Sequence, residues 1–532
     1  MTRDFHRPGR SAAYGTSAMI ATSHPEASQL GIEVLRRGGS AVDAAIAATA
    51  LLGVVESGMT GIGGDCFAIV AKPGAEPVTI NGSGRSSAGA TLDFARERGV
   101  REITDDSVLA VTVPGAVDAW TRLHADYGRL DFADLMGPAA RRAEEGYPVA
   151  PRVAFDWSRN AERLRRFPET AEVFLPGGRA PREGEIHRQP ALARTLRAIA
   201  REGRAGFYEG AAAEDMVATL QRLGGPHTLD DFSAQSSDYV PPISSTFAGH
   251  EVLECPPNGQ GATALLLLKA LEGWPALEAA NDEGERIHLF SQATRAAYWL
   301  RDRGLGDPAA MEIGVDEFLS ERSVAFVRDF AASSGGGAPA PEPLGAEAAW
   351  ESDTICLSVV DADGLAVSFI NSLFNAWGST ILAPKSGVML HCRGRQFRID
   401  DRLPNRLGPR KRPLHTIIPG MVAKDGRAVM PFGVMGGQYQ SAGHANFLDR
   451  FLRKGLGLQE AVDAPRTFAY GPAVQVEAGI DEAAVRHLEG RGHAVERVAA
   501  PLGGAQAILI DHARGILVGA SDPRKDRSAL GY

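Results

Sequence analysis

The stretch TICLSVVDADGLAVSFINSL, residues 354–373, predicts two antiparallel strands joined by a tight turn. Its two halves, Cys356–Asp361 and Ala366–Leu373, are rich in β-branched and apolar residues, and Asp363-Gly364 between them is a hairpin signal. Two later pairs of runs repeat the design, namely Met421–Lys424 with Ala428–Phe432 and Ala507–Ile510 with Ile516–Ala520. The last third of the chain is therefore predicted to be rich in antiparallel hairpins.

Thr354 stands directly before the first of these strands and shortly after a tract rich in glycine and proline, Ser333–Pro343. If the chain is cut between Asp353 and Thr354, the threonine gains a free α-amino group beside its own hydroxyl. An α-amine titrates at about pH 8, so this residue would carry its own general base. The tract upstream would let the new carboxyl end at Asp353 move away from the site.

The first two-thirds of the chain is predicted to be mainly helical. Ser23 and Glu26 have capping-box spacing, so a helix is predicted to begin there. Ser40 and Asp43 open a second helix on the same logic, and nearly every position through Val55 is apolar, which indicates a buried helix. Helical periodicity also marks three later segments, Val117–Tyr127, Leu192–Glu202 and Glu285–Arg303. Together the helices and hairpins predict an α+β protein in which helices pack on sheets.

A glycine-rich segment, Gly58–Asp65, precedes the apolar run Cys66–Val70. Its glycine spacing is similar to a dinucleotide-binding fingerprint, but that motif needs a strand before it and a helix after it. Here a helix precedes the segment and a strand follows it. The order favours close backbone packing beside an active site over nucleotide binding.

Composition narrows the function classes. The 532 residues carry a formal net charge of −9, which argues against a nucleic-acid or anionic-membrane binder. The sequence has no apolar run long enough to span a membrane and no signal-peptide pattern, and its four cysteines are far apart, so a cytoplasmic protein is expected. The 13 histidines form no metal-binding motif, and neither a metal nor a cofactor is expected.

Further positions are candidates for catalysis. Ser372 lies 18 residues after Thr354, and a hairpin of this length returns it close to the start of the first strand. Ser372 can orient the threonine hydroxyl there, or it can simply be a polar strand end. Gly436-Gly437 follows a predicted strand, where backbone N–H groups can form an oxyanion hole, although the spacing alone favours a turn. His415 is interpreted as a structural residue in preference to a general base.

Six segments form an ordered set of motifs along the chain, namely Ser23–Pro25, Gly38–Ala45, Gly61–Gly64, Thr354–Asp361, Gly436-Gly437 and Asp522–Arg524. The set resembles the γ-glutamyltranspeptidase family of N-terminal nucleophile hydrolases over nearly the whole chain. The resemblance implies a four-layer αββα sandwich and a precursor that cleaves itself before Thr354. It also implies two partner fragments of one intertwined domain, 1–353 and 354–532, with Ser372 in place of a second threonine and Gly436 and Gly437 as the oxyanion hole.

Several positions depart from the pattern of family members that act on glutathione. Gln396 stands where an acidic residue usually holds the substrate ammonium, and Phe374 stands where an asparagine is expected. His415-Thr416 replaces a Ser-Ser pair, and Arg85 is displaced from the position of the arginine that binds the α-carboxylate. A buried ammonium needs a carboxylate or several acceptors, so these changes favour an anion instead. They are similar to the branch of the family that includes oxamate amidohydrolase, with cephalosporin and glutaryl acylases as neighbours.

The leading hypothesis is a self-processing amidohydrolase that acts on a small amide bearing a carboxylate, through an acyl-enzyme on Thr354. The substrate-binding candidates are Arg85, with Arg393 as a second choice for the carboxylate, and Gln396, His415 and Thr416. One alternative is transfer or hydrolysis of γ-glutamyl groups from glutathione-like donors. A further alternative is an uncleaved, non-catalytic binding homologue. A homo-oligomer is compatible with the sequence.

Overall fold

A computed structural model describes residues 10–333 and 354–532 of the chain. The predicted cleavage position at Asp353 and most of the Ser333–Pro343 tract lie outside the described residues. The strands are β1 (Ala13–Gly15), β2 (Met19–Thr22), β3 (Asp65–Ala71), β4 (Val78–Gly82), β5 (Tyr147–Pro148), β6 (Ile186–His187), β7 (Asp238–Val240), β8 (Ile243–Phe247), β9 (His250–Glu254), β10 (Ile355–Val360), β11 (Ala366–Ser372), β12 (Leu382–Ala383), β13 (Val388–Met389), β14 (Gly420–Lys424), β15 (Arg427–Met435), β16 (Thr467–Phe468), β17 (Ala473–Val476), β18 (Ala494–Arg497), β19 (Gly504–Asp511), β20 (Ile516–Ser521) and β21 (Ser528–Gly531).

The α-helices are α1 (Pro25–Arg36), α2 (Ala41–Val55), α3 (Leu92–Glu97), α4 (Ala116–Tyr127), α5 (Phe132–Glu145), α6 (Pro151–Arg159), α7 (Ala161–Leu164), α8 (Pro168–Phe174), α9 (Pro190–Glu202), α10 (Ala205–Tyr208), α11 (Gly210–Arg222), α12 (Leu229–Ser233), α13 (Gly261–Leu271), α14 (Pro275–Ala279), α15 (Glu283–Gly304), α16 (Val315–Phe318), α17 (Glu321–Ser333), α18 (Gln440–Leu448), α19 (Leu458–Asp463) and α20 (Glu482–Gly490). The three periodic segments noted in the sequence correspond to α4, α9 and α15. Within the described ranges, no helix is both long and apolar enough to cross a membrane.

Two seven-stranded sheets dominate the described part of the chain. The first has the order β21-β2-β10-β11-β3-β4-β7, and the second has the order β1-β20-β19-β15-β14-β9-β8. The β10–β11, β14–β15 and β19–β20 pairs are the three predicted hairpins, and all three are confirmed. Both sheets also take strands from the first 254 residues, so the division into a helical part and a hairpin part is too simple.

The two sheets face each other across a layer of apolar side chains that includes Phe67, Leu253, Cys356, Ile370 and Met435. Helices α1, α2, α4, α5 and α9 cover the outer face of the first sheet, and α13, α15, α17 and α18 cover the outer face of the second. Each sheet is therefore covered on both of its faces. Because successive side chains of a strand point to opposite faces, nearly every residue of a central strand is buried, which explains the continuous apolar runs in the sequence. The predicted αββα sandwich is confirmed.

The starts of α1 and α2 show where local sequence rules hold and where they fail. Ser40 and Asp43 cap α2 reciprocally, so the predicted capping box is confirmed. At α1 the N-cap is His24, whereas Ser23 donates its hydroxyl to the carboxylate of Glu56 at 2.6 Å. The capping box predicted at Ser23 is therefore wrong, because a hydrogen bond to a carboxylate is stronger than one to a backbone N–H.

The glycine-rich segment Gly58–Asp65 joins α2 to β3, which is the helix-then-strand order predicted for it. Its glycines allow close backbone contacts with the region around the central hairpin. A Cβ on Gly63 would lie 2.1 Å from Met389 O, and a Cβ on Gly64 would lie 2.4 Å from Ser372 O. The segment is thus packed directly against Ser372, which lies opposite Thr354 in the hairpin.

Candidate active site

Thr354 and Ser372 form a contact between two hydroxyls beside the central hairpin of the first sheet. The register places Ile355 opposite Asn371, so Thr354 and Ser372 face each other one step further out. Their oxygens, Oγ1 and Oγ, lie 3.0 Å apart, and both residues are buried. Ser372 Oγ also accepts a hydrogen bond from Phe374 N–H at 2.8 Å. The serine hydrogen is therefore available to Thr354, as an orienting hydroxyl requires.

Gly436 and Gly437 follow β15 with φ angles of 114° and 54°, a region that glycine enters without strain. β15 packs on the β10–β11 hairpin, where a Cβ on Gly433 would lie 2.3 Å from Cys356 Sγ. The strand therefore brings both glycines to the end of the sandwich at which β10 begins. In the described part of the chain, neither Gly436 N–H nor Gly437 N–H donates a hydrogen bond. Two unused backbone donors are what an oxyanion hole needs.

A cavity of about 530 Å³ opens beside these elements. Its wall includes Phe374, Gln396, Gly436, Arg395 and Tyr470. A second cavity, of about 10 Å³, lies against Thr354, and both cavities share the wall residues Met59, Arg152 and Asp156. The small cavity against Thr354 therefore adjoins the larger one, and the larger cavity has the volume of a small-molecule site.

Arg393 is a buried cation that contacts no carboxylate among the described residues. Its Nη1 donates to Thr416 Oγ1 at 2.7 Å, and its guanidinium carbon lies 4.3 Å from the centre of the Phe374 ring. Within the described residues, its Nε and Nη2 atoms have no hydrogen-bond partner. Burial lowers the pKa of Arg393 to about 10. Since an unpaired buried charge is costly, the two unused donors fit an anionic ligand.

His415 holds this part of the site in place. Its Nδ1 accepts from Ile417 N–H at 3.3 Å, so its Nε2 carries the hydrogen that it donates to Asp65 Oδ2 at 3.0 Å. Burial and then the charge of Arg393 lower the pKa of His415 to about 3, which keeps the ring neutral. His415 therefore has the contacts of a structural residue, and its neighbour Thr416 is the one that contacts Arg393.

Asp65 is a buried carboxylate that the sequence analysis did not single out. Its Oδ1 accepts from Gly84 N–H at 2.9 Å and Gly115 N–H at 3.1 Å, and its Oδ2 lies 3.4 Å from His391 Nδ1. Burial alone would raise the pKa of Asp65, but His391 and His415 hold it well below the usual value. The sequence signal was present, because a lone carboxylate stands between a glycine-rich segment and the apolar run Cys66–Val70.

Two of the substrate-binding candidates differ sharply in placement. Arg85 has a side chain 39% exposed, 3.7 Å from Asp238 and 3.8 Å from Asp307, outside the walls of the 530 Å³ cavity. Arg393 is likewise not part of that wall, but it stacks on Phe374, which is. The position of Arg85 argues against the predicted role in holding a substrate carboxylate, because the guanidinium is already balanced by two carboxylates, the exposed Asp238 and the buried Asp307. Gln396 is buried and lines the cavity, and its Nε2 has no partner among the described residues. It offers a donor, which suits an anion better than an ammonium.

The described residues contain no group of three or more His, Cys, Asp or Glu side chains arranged for a metal ion. A threonine just before a central strand of an αββα sandwich, with a second hydroxyl in contact with its own, is the arrangement of an N-terminal nucleophile hydrolase. Comparison with known families agrees with this class, since the γ-glutamyltranspeptidase model matches residues 27–532. The chain belongs to the γ-glutamyltranspeptidase family and is an enzyme of that family.

The similarity to known relatives covers nearly the full length of both chains. The glutathione hydrolase-like YwrD proenzyme of Bacillus subtilis (strain 168) is 38% identical, over 97% of this chain and 99% of its own. The oxamate amidohydrolase proenzyme of Klebsiella pneumoniae subsp. pneumoniae is 34% identical, over 98% of this chain and all of its own. The crystal structure of a cephalosporin acylase from Bacillus halodurans is 34% identical, with a TM-score of 0.90 over 100% of this chain and 99% of its own.

Proposed function

We propose that the chain is a precursor that cuts itself between Asp353 and Thr354 and then hydrolyses a small amide that carries a carboxylate. The cut would leave a large fragment, 1–353, and a small fragment, 354–532, that stay together in one sandwich. Two observations support self-cleavage: the relatives named above from Bacillus subtilis and Klebsiella pneumoniae are both called proenzymes, and Thr354 has a hydroxyl partner already in place.

The mechanism follows from the groups around Thr354. Once free, its α-amine takes the hydroxyl proton while Oγ1 attacks the carbonyl carbon of the amide. Ser372 orients Oγ1, and the N–H groups of Gly436 and Gly437 stabilise the negative oxygen of the tetrahedral intermediate. The α-ammonium then gives its proton to the leaving nitrogen, and an acyl ester on Thr354 remains. Water, deprotonated by the same amine, cleaves the ester and restores the hydroxyl.

The substrate assignment rests on Arg393. A buried guanidinium with two unused donors can bind a carboxylate through two parallel hydrogen bonds. A γ-glutamyl group also carries an ammonium, whose expected carboxylate partner is here Gln396, an amide. Thr416 and Phe374 both contact the guanidinium, and His415 precedes Thr416 in the chain. The relative named oxamate amidohydrolase supports a short acyl group with an adjacent carboxylate.

Experiments on the full-length purified chain test both the self-cleavage and the choice of substrate. On a denaturing gel it should convert to two bands, and the small fragment should begin Thr-Ile-Cys-Leu. The matured protein should release ammonia from oxamate and turn over a γ-glutamyl anilide poorly. A single full-length band after long incubation would favour the uncleaved binding homologue. Efficient hydrolysis of the anilide without any turnover of oxamate would refute the substrate assignment.

The second candidate is γ-glutamyl transfer or hydrolysis, which the name of the 38% identical relative favours. The variant Gln396→Asp separates it from the first. A new carboxylate in the cavity wall should bind the γ-glutamyl ammonium and raise turnover of the anilide, while Gln396→Asn, with the same shortening but no charge, should not. An efficient wild type that gains nothing from Gln396→Asp would favour the second candidate.

A further inference from the structure

Gln260 joins two parts of the site that lie far apart in the chain. It is fully buried just before α13. Its Nε2 donates to Thr416 O at 2.9 Å and to Gly437 O at 3.1 Å. A glutamine amide has two N–H hydrogens, so these two bonds use both of them. One side chain therefore connects Thr416, which contacts Arg393, with Gly437 in the oxyanion loop, residues 436–438.

The orientation of this amide is fixed by Arg301. The Nη1 atom of Arg301 donates to Gln260 Oε1 at 2.7 Å and to Gln438 Oε1 at 2.7 Å. Since arginine carries only donors, the atom of Gln260 that faces it must be the oxygen. Arg301 is itself held by Asp302, through Nε at 2.8 Å and Nη2 at 2.6 Å. Rotation of the amide would place two donors against the guanidinium, so Nε2 must face the two carbonyls.

The same network restrains the oxyanion loop through three contacts at two consecutive residues. Gly437 O is bound by Gln260, the side chain of Gln438 is bound by Arg301, and Gln438 O accepts from the hydroxyl of Tyr298. On the other side, Gln260 N–H donates to His415 O at 2.9 Å, so the backbone of Gln260 also contacts the segment before Thr416. The bonds leave the loop and this segment little freedom to move relative to each other.

We infer that Gln260 is a positioning residue that sets the spacing between the Arg393–Thr416 anion site and the N–H donors of Gly436 and Gly437. The inference rests on the proposed function for its catalytic consequence, but the coupling of the two segments is a property of the fold. A substrate with a carboxylate next to its reacting carbonyl must meet both groups at once. An error of about 1 Å in that spacing costs about 100-fold in rate.

Two variants remove the donors while they keep the shape. Gln260→Glu replaces Nε2 with an oxygen that repels both carbonyls, and its carboxylate can still pair with Arg301. Gln260→Met keeps the length and carries no charge. Both should lower kcat by about 100-fold, with a smaller change in KM, in matured enzyme of normal secondary structure. Hydrogen–deuterium exchange should accelerate in peptides that cover 412–418 and 433–440.

Gln189→Glu is the matched control. Gln189 is also a buried glutamine just before a helix, and its Nε2 donates to a backbone carbonyl, Val54 O, at 3.1 Å. It lies in the helix layer on the first sheet, so its variant should lose stability without losing kcat or changing exchange at 433–440. The activity assay uses whichever of oxamate or γ-glutamyl anilide the wild type hydrolyses.

The outcomes separate this inference from the proposed function. If the wild type hydrolyses neither amide, the proposed function fails, and the exchange measurement alone decides the role of Gln260. Unchanged exchange in both peptides of both Gln260 variants would overturn the inference. A kcat within about twofold of wild type, or a loss equal to that of Gln189→Glu, would also overturn it. If Gln260→Glu does not fold, Gln260→Met gives the same readouts without a buried charge.

Discussion

Replacement of Arg393 by methionine should abolish recognition of the substrate carboxylate without loss of protein stability. Nε and Nη2 are the two donors left for a ligand within the described structure. A hydrogen bond to a charged group contributes about 1.5–3 kcal/mol, so two of them contribute about 3–6 kcal/mol. At about 1.4 kcal/mol for each tenfold change, kcat/KM for oxamate should fall by about 10²- to 10⁴-fold.

The stability of Arg393→Met, unlike its activity, should not fall. The side chain loses one hydrogen bond from a charged donor to Thr416, of about 1.5–3 kcal/mol, and a stacking contact with Phe374, of about 2 kcal/mol. In return the fold no longer has to bury an unpaired cation, which costs several kcal/mol. Methionine fills a similar volume, so the melting temperature should stay constant or rise.

The assay compares oxamate with oxamide, which replaces the carboxylate by a neutral amide of the same shape. Arg393→Met should lose turnover of oxamate and not of oxamide. Arg466→Met is the control, because Arg466 is also buried but pairs with Asp522. It should destabilise the fold by about 3–5 kcal/mol and keep the preference for oxamate. Equal losses on both substrates in Arg393→Met, or a large drop in its melting temperature, would refute the reasoning.

Three further predictions concern the nucleophile, the oxyanion loop and acid stability. Thr354→Ala should remain a single band on a denaturing gel, whereas Thr354→Ser, which keeps the hydroxyl, should still cleave. Gly436→Ala should lower kcat by about 100-fold, because φ is 114° and the new Cβ would lie 2.9 Å from Gly503 Cα; Gly426→Ala, with φ of 71° in an open turn, is the control for backbone strain alone. The pKa of His415 falls to about 3 in the fold. In the unfolded chain this histidine has a pKa of about 6.5, so it takes up a proton on acidification that the buried ring in the fold does not. The free energy of unfolding should therefore drop by up to about 1.4 kcal/mol per pH unit below pH 6.5. His415→Gln should remove this contribution of one proton, so that the free energy of unfolding measured by urea denaturation changes less between pH 7 and pH 5 than in the wild type.

The local parts of this site follow from the sequence, because a hairpin is specified by nearby residues. The Asp363-Gly364 turn and the apolar runs set the register of β10 and β11, and the register alone places Ser372 opposite Thr354. The same holds for α2, whose cap and buried face lie within one segment. Ser23 shows the limit, since its hydroxyl leaves the local cap for a carboxylate 33 residues away.

Contacts between distant segments could not be read in this way. Asp65 and His415 are 350 residues apart, and Gln260 and Thr416 are 156 residues apart. Their pairing depends on how the two sheets stack, which no local pattern encodes. Arg85 shows the same limit, because a shift of a motif along the chain does not reveal which carboxylates the side chain will meet. Only the fold shows that Asp238 and Asp307 lie beside it.

The arrangement of buried charge explains how Arg393 can stay available for a substrate. Asp65 is the negative charge that stabilises the guanidinium, and it opposes the fall in the pKa of Arg393 that burial causes. Yet Asp65 already accepts hydrogen bonds from His415 and from two backbone N–H groups. Among the described residues, Arg393 therefore has Asp65 as a countercharge without a hydrogen bond to it. A direct salt bridge would satisfy Arg393 and occupy its donors, whereas a countercharge that is not hydrogen-bonded to it offsets part of the burial cost and leaves Nε and Nη2 for a ligand carboxylate.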